Sequence, residues 1–314
     1  MKALLPLLAI LVLGCKQTPK TPTAKKVQID TLQGQSLLGK PLVSPKLRPI
    51  DDKKVKNYEK ALAVYKQHPD SAETKIWLGR RLAYLGDYQK AIKAYTEGIE
   101  KFPEDARFYR HRGHRYISTR QLDLAIEDLE KGATLIQGTA DVVEPDGIPN
   151  RLNQPVSSLH TNIYYHLGLA YYLKGNWNKA LEHFQQCFDA STNDDMRVAS
   201  SHWLYMILQR MERPEDAEKI LEPITADMET IESDGYHRLL LFYKGELEET
   251  ALSGSGSIGS SEAVRYGIAH WYQYNGDANK AKTLYEELLA SGTWAGFGYI
   301  AAEAELARWP KNEQ

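Results

Sequence analysis

Apolar residues recur at helical spacing along most of the chain, in paired segments separated by short polar turns. The clearest pair runs from Ser71 to Asp105. Its first segment, Ala72–Leu85, places Ile76, Leu78, Leu82 and Leu85 on one helical face. Gly86 can adopt the left-handed conformation that ends a helix, and Asp87 can then accept backbone N–H bonds as the N-cap of the next. The second segment, Tyr88–Phe102, carries Ala91, Ile92, Tyr95, Gly98 and Ile99 before Pro103 stops it. Small residues at Gly79 and Ala91 suit two closely crossing helices, where overfilling costs roughly 1–3 kcal/mol. Gly98 lies inside a helix at a cost of about 1 kcal/mol relative to Ala, so close packing is expected to offset it.

The pair repeats. Pro69 to Pro103, Gly79 to Gly113 and Ala91 to Ala125 are each 34 residues apart. Gly113 to Gly168 and Ala125 to Ala180 are each 55, so two independent markers report the same 21-residue insertion. Ala180 to Ala217 is 37 and Ala217 to Ala281 is 64, about one and two further units. The pattern L-G-x-x-L…G-D-Y…A-x-x-x-Y…P resembles the tetratricopeptide repeat (TPR) family. The predicted fold is all-α, a TPR-type α-solenoid: a right-handed superhelix of helix–turn–helix repeats behind a disordered N-terminal tether. Each repeat of a solenoid contacts only its neighbours, so 314 residues need no single large core.

Taken in order, the solenoid is expected over 51–309. A capping half-repeat with Tyr58, Ala61, Leu62 and Tyr65 ends at Pro69. Repeats follow at 72–105 and 106–137. The insertion, 138–158, holds three prolines and two glycines and cannot be helical. Loops longer than about 12–15 residues are usually functional or disordered. Repeats resume at 161–194 and 198–231, with Pro214 suited to a first helical turn. The unit at 232–257 is degenerate, its second helix cut short by a Gly/Ser loop at 253–261. A regular repeat at 262–291 and a cap helix at 294–309 complete the stack.

The N-terminus reads differently. Lys2 precedes an apolar run, Leu4–Leu13, too short to span a bilayer permanently. Val12-Leu13-Gly14-Cys15 resembles a bacterial lipobox. The resemblance implies a signal peptide at 1–14, cleavage before Cys15, and lipidation of that residue; the alternative is an ordinary secretory signal containing a cysteine. Lys16, where an Asp can mark inner-membrane retention, favours the outer membrane. Residues 15–50, rich in Pro, Lys, Thr and Gln, form the expected flexible linker, whose 35 residues past Cys15 reach about 115 Å when extended. The apolar islands between Leu32 and Val43 offer another arrangement, in which this stretch lies along the solenoid. With Cys15 acylated, Cys187 has no disulfide partner. It occupies a small-residue position equivalent to Gly98 and Gly132, as a buried hydrophobe would.

Chemistry adds few constraints. Thirty-nine Lys and Arg against 41 Asp and Glu give no global case for nucleic acid. Gly254-Ser255-Gly256-Ser257-Ile258-Gly259 matches GxGxxG but follows a helix in a Ser/Gly-rich stretch, not a strand of a βαβ unit, and reads as a loop. The pairs His183/Cys187 and His111/Arg115 lack a third ligand for a metal. No catalytic constellation, cofactor motif or metal set stands out, so no enzyme activity is expected.

The cluster of interest is RFYRHRGHRY, Arg107–Tyr116. By resemblance to TPR folds, the concave groove is lined by Glu73, Ile76, Arg80 and Ala83, then Arg107, Arg110, His114 and Ile117, then Asn162, Tyr165, Leu169 and Tyr172. That makes the groove basic at one end and aromatic at the other. Arg80, Arg107, Arg110, His114, Tyr165 and Tyr172 are the candidate partner-binding residues. Arginine pairs with carboxylates bidentately, so acidic peptide segments are the expected ligand; a solvated helix face with structural ion pairs is the competing reading. Tyr95, Tyr116, Tyr171 and Tyr285 fall at helix–helix packing positions, whereas Tyr266 and Trp177 join the candidates for ligand contact. Residues 200–307, with Trp203-Leu204-Tyr205, the Phe242-Tyr243-Lys244-Gly245 hairpin and one good repeat before a cap, resemble the NlpI-type TPR lipoproteins of the bacterial outer membrane. The insertion departs from that family. The resemblance implies a periplasm-facing adaptor that docks other proteins, often as a homodimer. A glycan- or small-ligand-binding lipoprotein is the alternative.

Overall fold

The computed structural model describes residues 31–44, 52–252 and 261–310. The expected signal peptide, Cys15, the rest of the expected linker and the GxGxxG stretch lie outside the described residues. Two short strands come first, β1 (Leu32–Gln35) and β2 (Pro41–Val43), followed by α1 (Asp52–Gln67). Helix pairs follow: α2 (Ala72–Tyr84) with α3 (Tyr88–Lys101), α4 (Ala106–Ser118) with α5 (Leu122–Leu135), α6 (Leu159–Lys174) with α7 (Trp177–Asp189), and α8 (Asp194–Arg210) with α9 (Pro214–Leu221). The degenerate unit is α10 (Asp234–Tyr243) with a one-turn α11 (Glu249–Leu252). The regular pair α12 (Glu262–Tyr274) and α13 (Ala278–Ala290) precedes the cap, α14 (Phe297–Arg308).

Local chemistry sets these boundaries. Ser71 accepts the amide of Thr74 at the start of α2, Gly86 has φ +83°, and Asp87 accepts the amide of Lys90 to open α3. Ser158 and Thr161 form a reciprocal capping box on α6, which ends at Gly175 in the left-handed conformation. Packing follows the small residues. A Cβ on Gly79 would lie 2.3 Å from the Tyr95 ring, and one on Gly98 would lie 2.1 Å from Phe108. Both aromatic rings are fully buried there, which accounts for a glycine in mid-helix. The core deepens toward the middle of the chain, where Trp203 stacks on Phe184 at 5.5 Å between α7 and α8. Cys187 is buried beside them, its thiol pushed up to about 12 by desolvation. The stack is a TPR-type α-solenoid.

Two features alter the expected outline. Part of the expected linker is a hairpin: residues 31–44 lie along the solenoid. Gln33 accepts the amide of Gln89, Ser44 donates to the carbonyl of Gly86, and Trp294 donates to Val43 O at 2.9 Å. The hairpin therefore bridges an early repeat to the C-terminal cap. The stack is also not open along its inner side. α14 packs on α12 and α13 and reaches back to α6, so that Phe297 touches His114, Tyr165 and His166.

Candidate functional site

The inner helices α2, α4 and α6 carry the predicted groove residues, and the structure brings Arg80, Arg110 and His114 together. They face the insertion rather than solvent. After α5 the chain crosses the inner wall, and Val143 makes an antiparallel bridge with Ser158 as the chain returns to α6. The Glu144 amide donates to Ser157 O, and the Leu159 amide donates to Val142 O. This extended segment places the Glu144 carboxylate against the arginines. Arg110 Nε lies 2.9 Å from one carboxylate oxygen, off the hydrogen-bond axis, so the contact is an ion pair without a directed hydrogen bond. Arg80 stands 4.0 Å from the same carboxylate and donates instead to Pro145 O at 2.7 Å. Asn162 donates to Glu144 Oε2 at 3.1 Å, and Arg81 donates to Gly147 O at 2.6 Å.

Histidine completes the wall. Arg110 Nη1 is 3.0 Å from His111 Nδ1; a guanidinium only donates, so Nδ1 accepts and the ring proton sits on Nε2, toward Glu144 at 3.9 Å. Desolvation, reinforced by the neighbouring arginines, holds His111 and His114 well below the ordinary histidine value. The same burial lowers Arg110, with Glu144 opposing the shift and Arg80 and Arg115 adding to it. Arg80, Arg110, Arg115, His111, His114 and Glu144 surround a small cavity of about 100 Å³. Among the described residues Glu144 is its one acid. Arg115 has no carboxylate partner among the described residues and rests over the Tyr88 ring at 5.1 Å.

Arg107 stands apart. It is about 40% exposed and pairs with Glu73 at 2.7 Å and Asp105 at 2.6 Å. It borders a larger cleft of about 830 Å³ between α2, α4, the end of α5 and the insertion, with Ile76, Phe102, Leu135, Ile136 and Val143 among its walls.

The aromatic end of the expected groove is corrected. Tyr165 and Tyr172 are buried in the core instead of lining an open wall. Trp203 donates to the Tyr165 hydroxyl at 2.8 Å, which also meets that of Tyr236, and Tyr172 pairs through its hydroxyl with buried Tyr266. The physical reason is that α8, α10, α12 and α14 close over these positions, whereas the groove assignment presumed an open stack. Trp177 is half-buried between the guanidinia of Arg210 and Arg308.

Sequence reasoning missed the acids that meet these arginines. Glu303 of α14 meets Arg120 at 2.9 Å, and Glu305 meets Arg210 at 2.8 Å, each nearly fully buried. Glu144 is the third. The signals were present: three acids in the insertion opposite an arginine-rich helix, and two glutamates within an alanine-rich cap helix.

Residues 77–138 and 161–194 match models of the tetratricopeptide repeat. The chain carries tetratricopeptide repeats. The small glutamine-rich tetratricopeptide repeat-containing protein 2 of Saccharomyces cerevisiae is 24% identical over 172 residues, 53% of this chain and 43% of the relative. The chain thus spans less than half the length of that curated relative. A tetratricopeptide repeat protein from Parabacteroides merdae shares 15% identity over 82% of this chain and 93% of its own, with a TM-score of 0.47. YrrB, described as a TPR protein with an unusual peptide-binding site, shares 14% identity over 74% of this chain and 92% of its own, with a TM-score of 0.42.

Proposed function

We propose that this protein is a non-enzymatic interaction scaffold, tethered to a bacterial membrane through a lipidated Cys15 and facing the periplasm, that takes acidic peptide segments of other proteins on the inner wall of its first repeats. One observation carries the reading: an extended backbone with a glutamate, Val142–Pro145, already lies on that wall, its carboxylate paired with Arg110 and its Pro145 carbonyl accepting from Arg80. A guanidinium cluster backed by helices is suited to carboxylate recognition, and the adjoining apolar cleft has room for flanking side chains. The anchor rests on the lipobox-like run ending at Cys15, and with it the cell-envelope setting; a homodimer rests on the resemblance of residues 200–307 to NlpI-type lipoproteins.

Capture of partners from cross-linked envelopes tests the scaffold. Arg107→Glu reverses charge at the cleft rim and leaves the buried cluster untouched, so the proteins captured by wild type should be lost while helical circular dichroism is unchanged. Capture that survives this change places the partner elsewhere. Lipid labelling of wild type but not of Cys15→Ala is the expected result for the anchor.

A further inference from the structure

The insertion does what an acidic ligand would do on this wall, yet it is held as a ligand is held and not as a core element is. Its contacts with the repeats are polar: Glu144 with Arg110 and Asn162, Pro145 O with Arg80, and Gly147 O with Arg81. Among residues 138–155 only Gly147 is buried, so no apolar side chain there ties the segment down. Its large apolar residues stay largely exposed instead, Val142 and Val143 on the open cleft among them: Val142 62%, Val143 61%, Ile148 61% and Leu152 46%. Apolar burial is the main term that makes a segment's position permanent, and this segment lacks it. The ion pair to Arg110 is off the hydrogen-bond axis. Its remaining ties are polar as well: Asn150 donates to Glu232 at 2.7 Å, the Leu159 amide donates to Val142 O, and at the base Asn193 donates to Val156 O and Ser158 caps α6.

We propose that the insertion is an exchangeable strap: a glutamate or aspartate on an extended segment of a partner protein replaces Glu144 on Arg80, Arg110 and Asn162, and the strap lifts to admit it. The inference rests on the scaffold reading and names the chemistry of the partner segment. That segment is extended, acidic at one position, and apolar on the flank that faces Ile76, Leu135 and Ile136 across the cleft, as Val143 now does. Because the strap is covalently joined to the wall, it competes at a high effective concentration, and the wall presents itself to partners only in the fraction of time the strap is out.

The test uses a fluorescent peptide with the sequence of residues 139–147 and the full chain. The peptide should bind the Glu144→Ala protein about tenfold or more tightly than wild type, because the competitor in cis is weakened. The same peptide with glutamine in place of its glutamate should bind neither protein. Equal binding to both proteins, or none to a Glu144→Ala protein with native circular dichroism, overturns the proposal. Hydrogen exchange on wild type supplies a second measurement should that variant fail to fold. Amides of 142–155 are expected to exchange far faster than those of α14, and equal protection means the strap does not lift. The two readings fail separately. Peptide exchange without any captured envelope protein removes the scaffold and keeps the strap; envelope proteins captured equally by wild type and Glu144→Ala do the reverse.

Discussion

The inner face of this solenoid is filled twice, by different means. Over the first repeats the occupant is a loop, with Glu144 on Arg110 and its apolar residues largely exposed. Over the later repeats it is a helix, α14, with Glu303 on Arg120 and Glu305 on Arg210 and Arg308. Both use a carboxylate on a guanidinium. The difference lies behind the carboxylate: α14 buries Ile300, Ala301 and Ala302 completely, while the strap buries no apolar side chain between 138 and 155. An arginine–glutamate pair therefore says little about permanence. The apolar surface buried with it decides whether the element is part of the core or a resident that can leave.

The strongest way to break this comparison is to remove one acid from each region. Glu303→Ala leaves Arg120 buried without its partner under a helix that cannot move away, and should cost about 3–5 kcal/mol. Arg120 also holds Trp294 O and Ser118 O, and Glu303 accepts the Leu37 amide, so the hairpin should loosen as well. Urea unfolding with a double-mutant cycle against Arg120→Ala measures it, and a strongly non-additive pair is expected. A loss below about 1 kcal/mol would mean that α14 is as loosely held as the strap.

Acid should act on the helix-filled region through His202. This α8 residue is fully buried among Trp203, Tyr236 and Tyr243, with neither ring nitrogen hydrogen-bonded, and burial pushes it down to about 3 from an ordinary 6.5. The unfolded chain takes up a proton in that window and the folded chain does not. The stability is therefore full above about 6.5 and falls as pH drops toward 3, by about 2 kcal/mol at pH 5. His202→Phe should remove that part of the acid sensitivity, read as a smaller difference between unfolding free energies at pH 8 and pH 5. An unchanged difference would show that His202 is not the group responsible.

What was legible in the sequence is what local rules determine. Gly86 with Asp87, the placement of Gly79 against Tyr95, and the 34-residue recurrence each depend on neighbours within one or two turns or one repeat. The insertion was legible as an interruption, since three prolines forbid a helix, but its docking was not. Where Glu144 lands depends on the direction in which the chain crosses the wall, and no local pattern encodes that. The burial of Tyr165 and Tyr172 was illegible for a related reason. Their helical positions are those of a groove, but whether the groove stays open is decided by α8, α10, α12 and α14, whose contacting residues lie from 38 to more than a hundred positions later. The hairpin at 31–44 was visible as apolar islands, but its attachments to Gly86 and Trp294 lie 42 and 251 residues away in sequence, beyond the reach of any local pattern.

The smallest expected effect is the one that most sharpens the contrast. Glu144→Ala removes the same kind of group as Glu303→Ala, from arginines almost as well covered. If the strap were core, Arg110 and Arg80 would be stranded in the interior and the cost would approach that of losing Glu303. A strap that can lift avoids this, because water then reaches both guanidinia and the penalty is limited to the few polar contacts given up, about 1 kcal/mol in global stability. The change should be local: exchange should rise across 141–157 while α4 and α6 keep their protection. A cooperative loss of several kcal/mol, with exchange rising through α4, would place the insertion with α14 as a structural wedge. The inner wall would then have no exchangeable face.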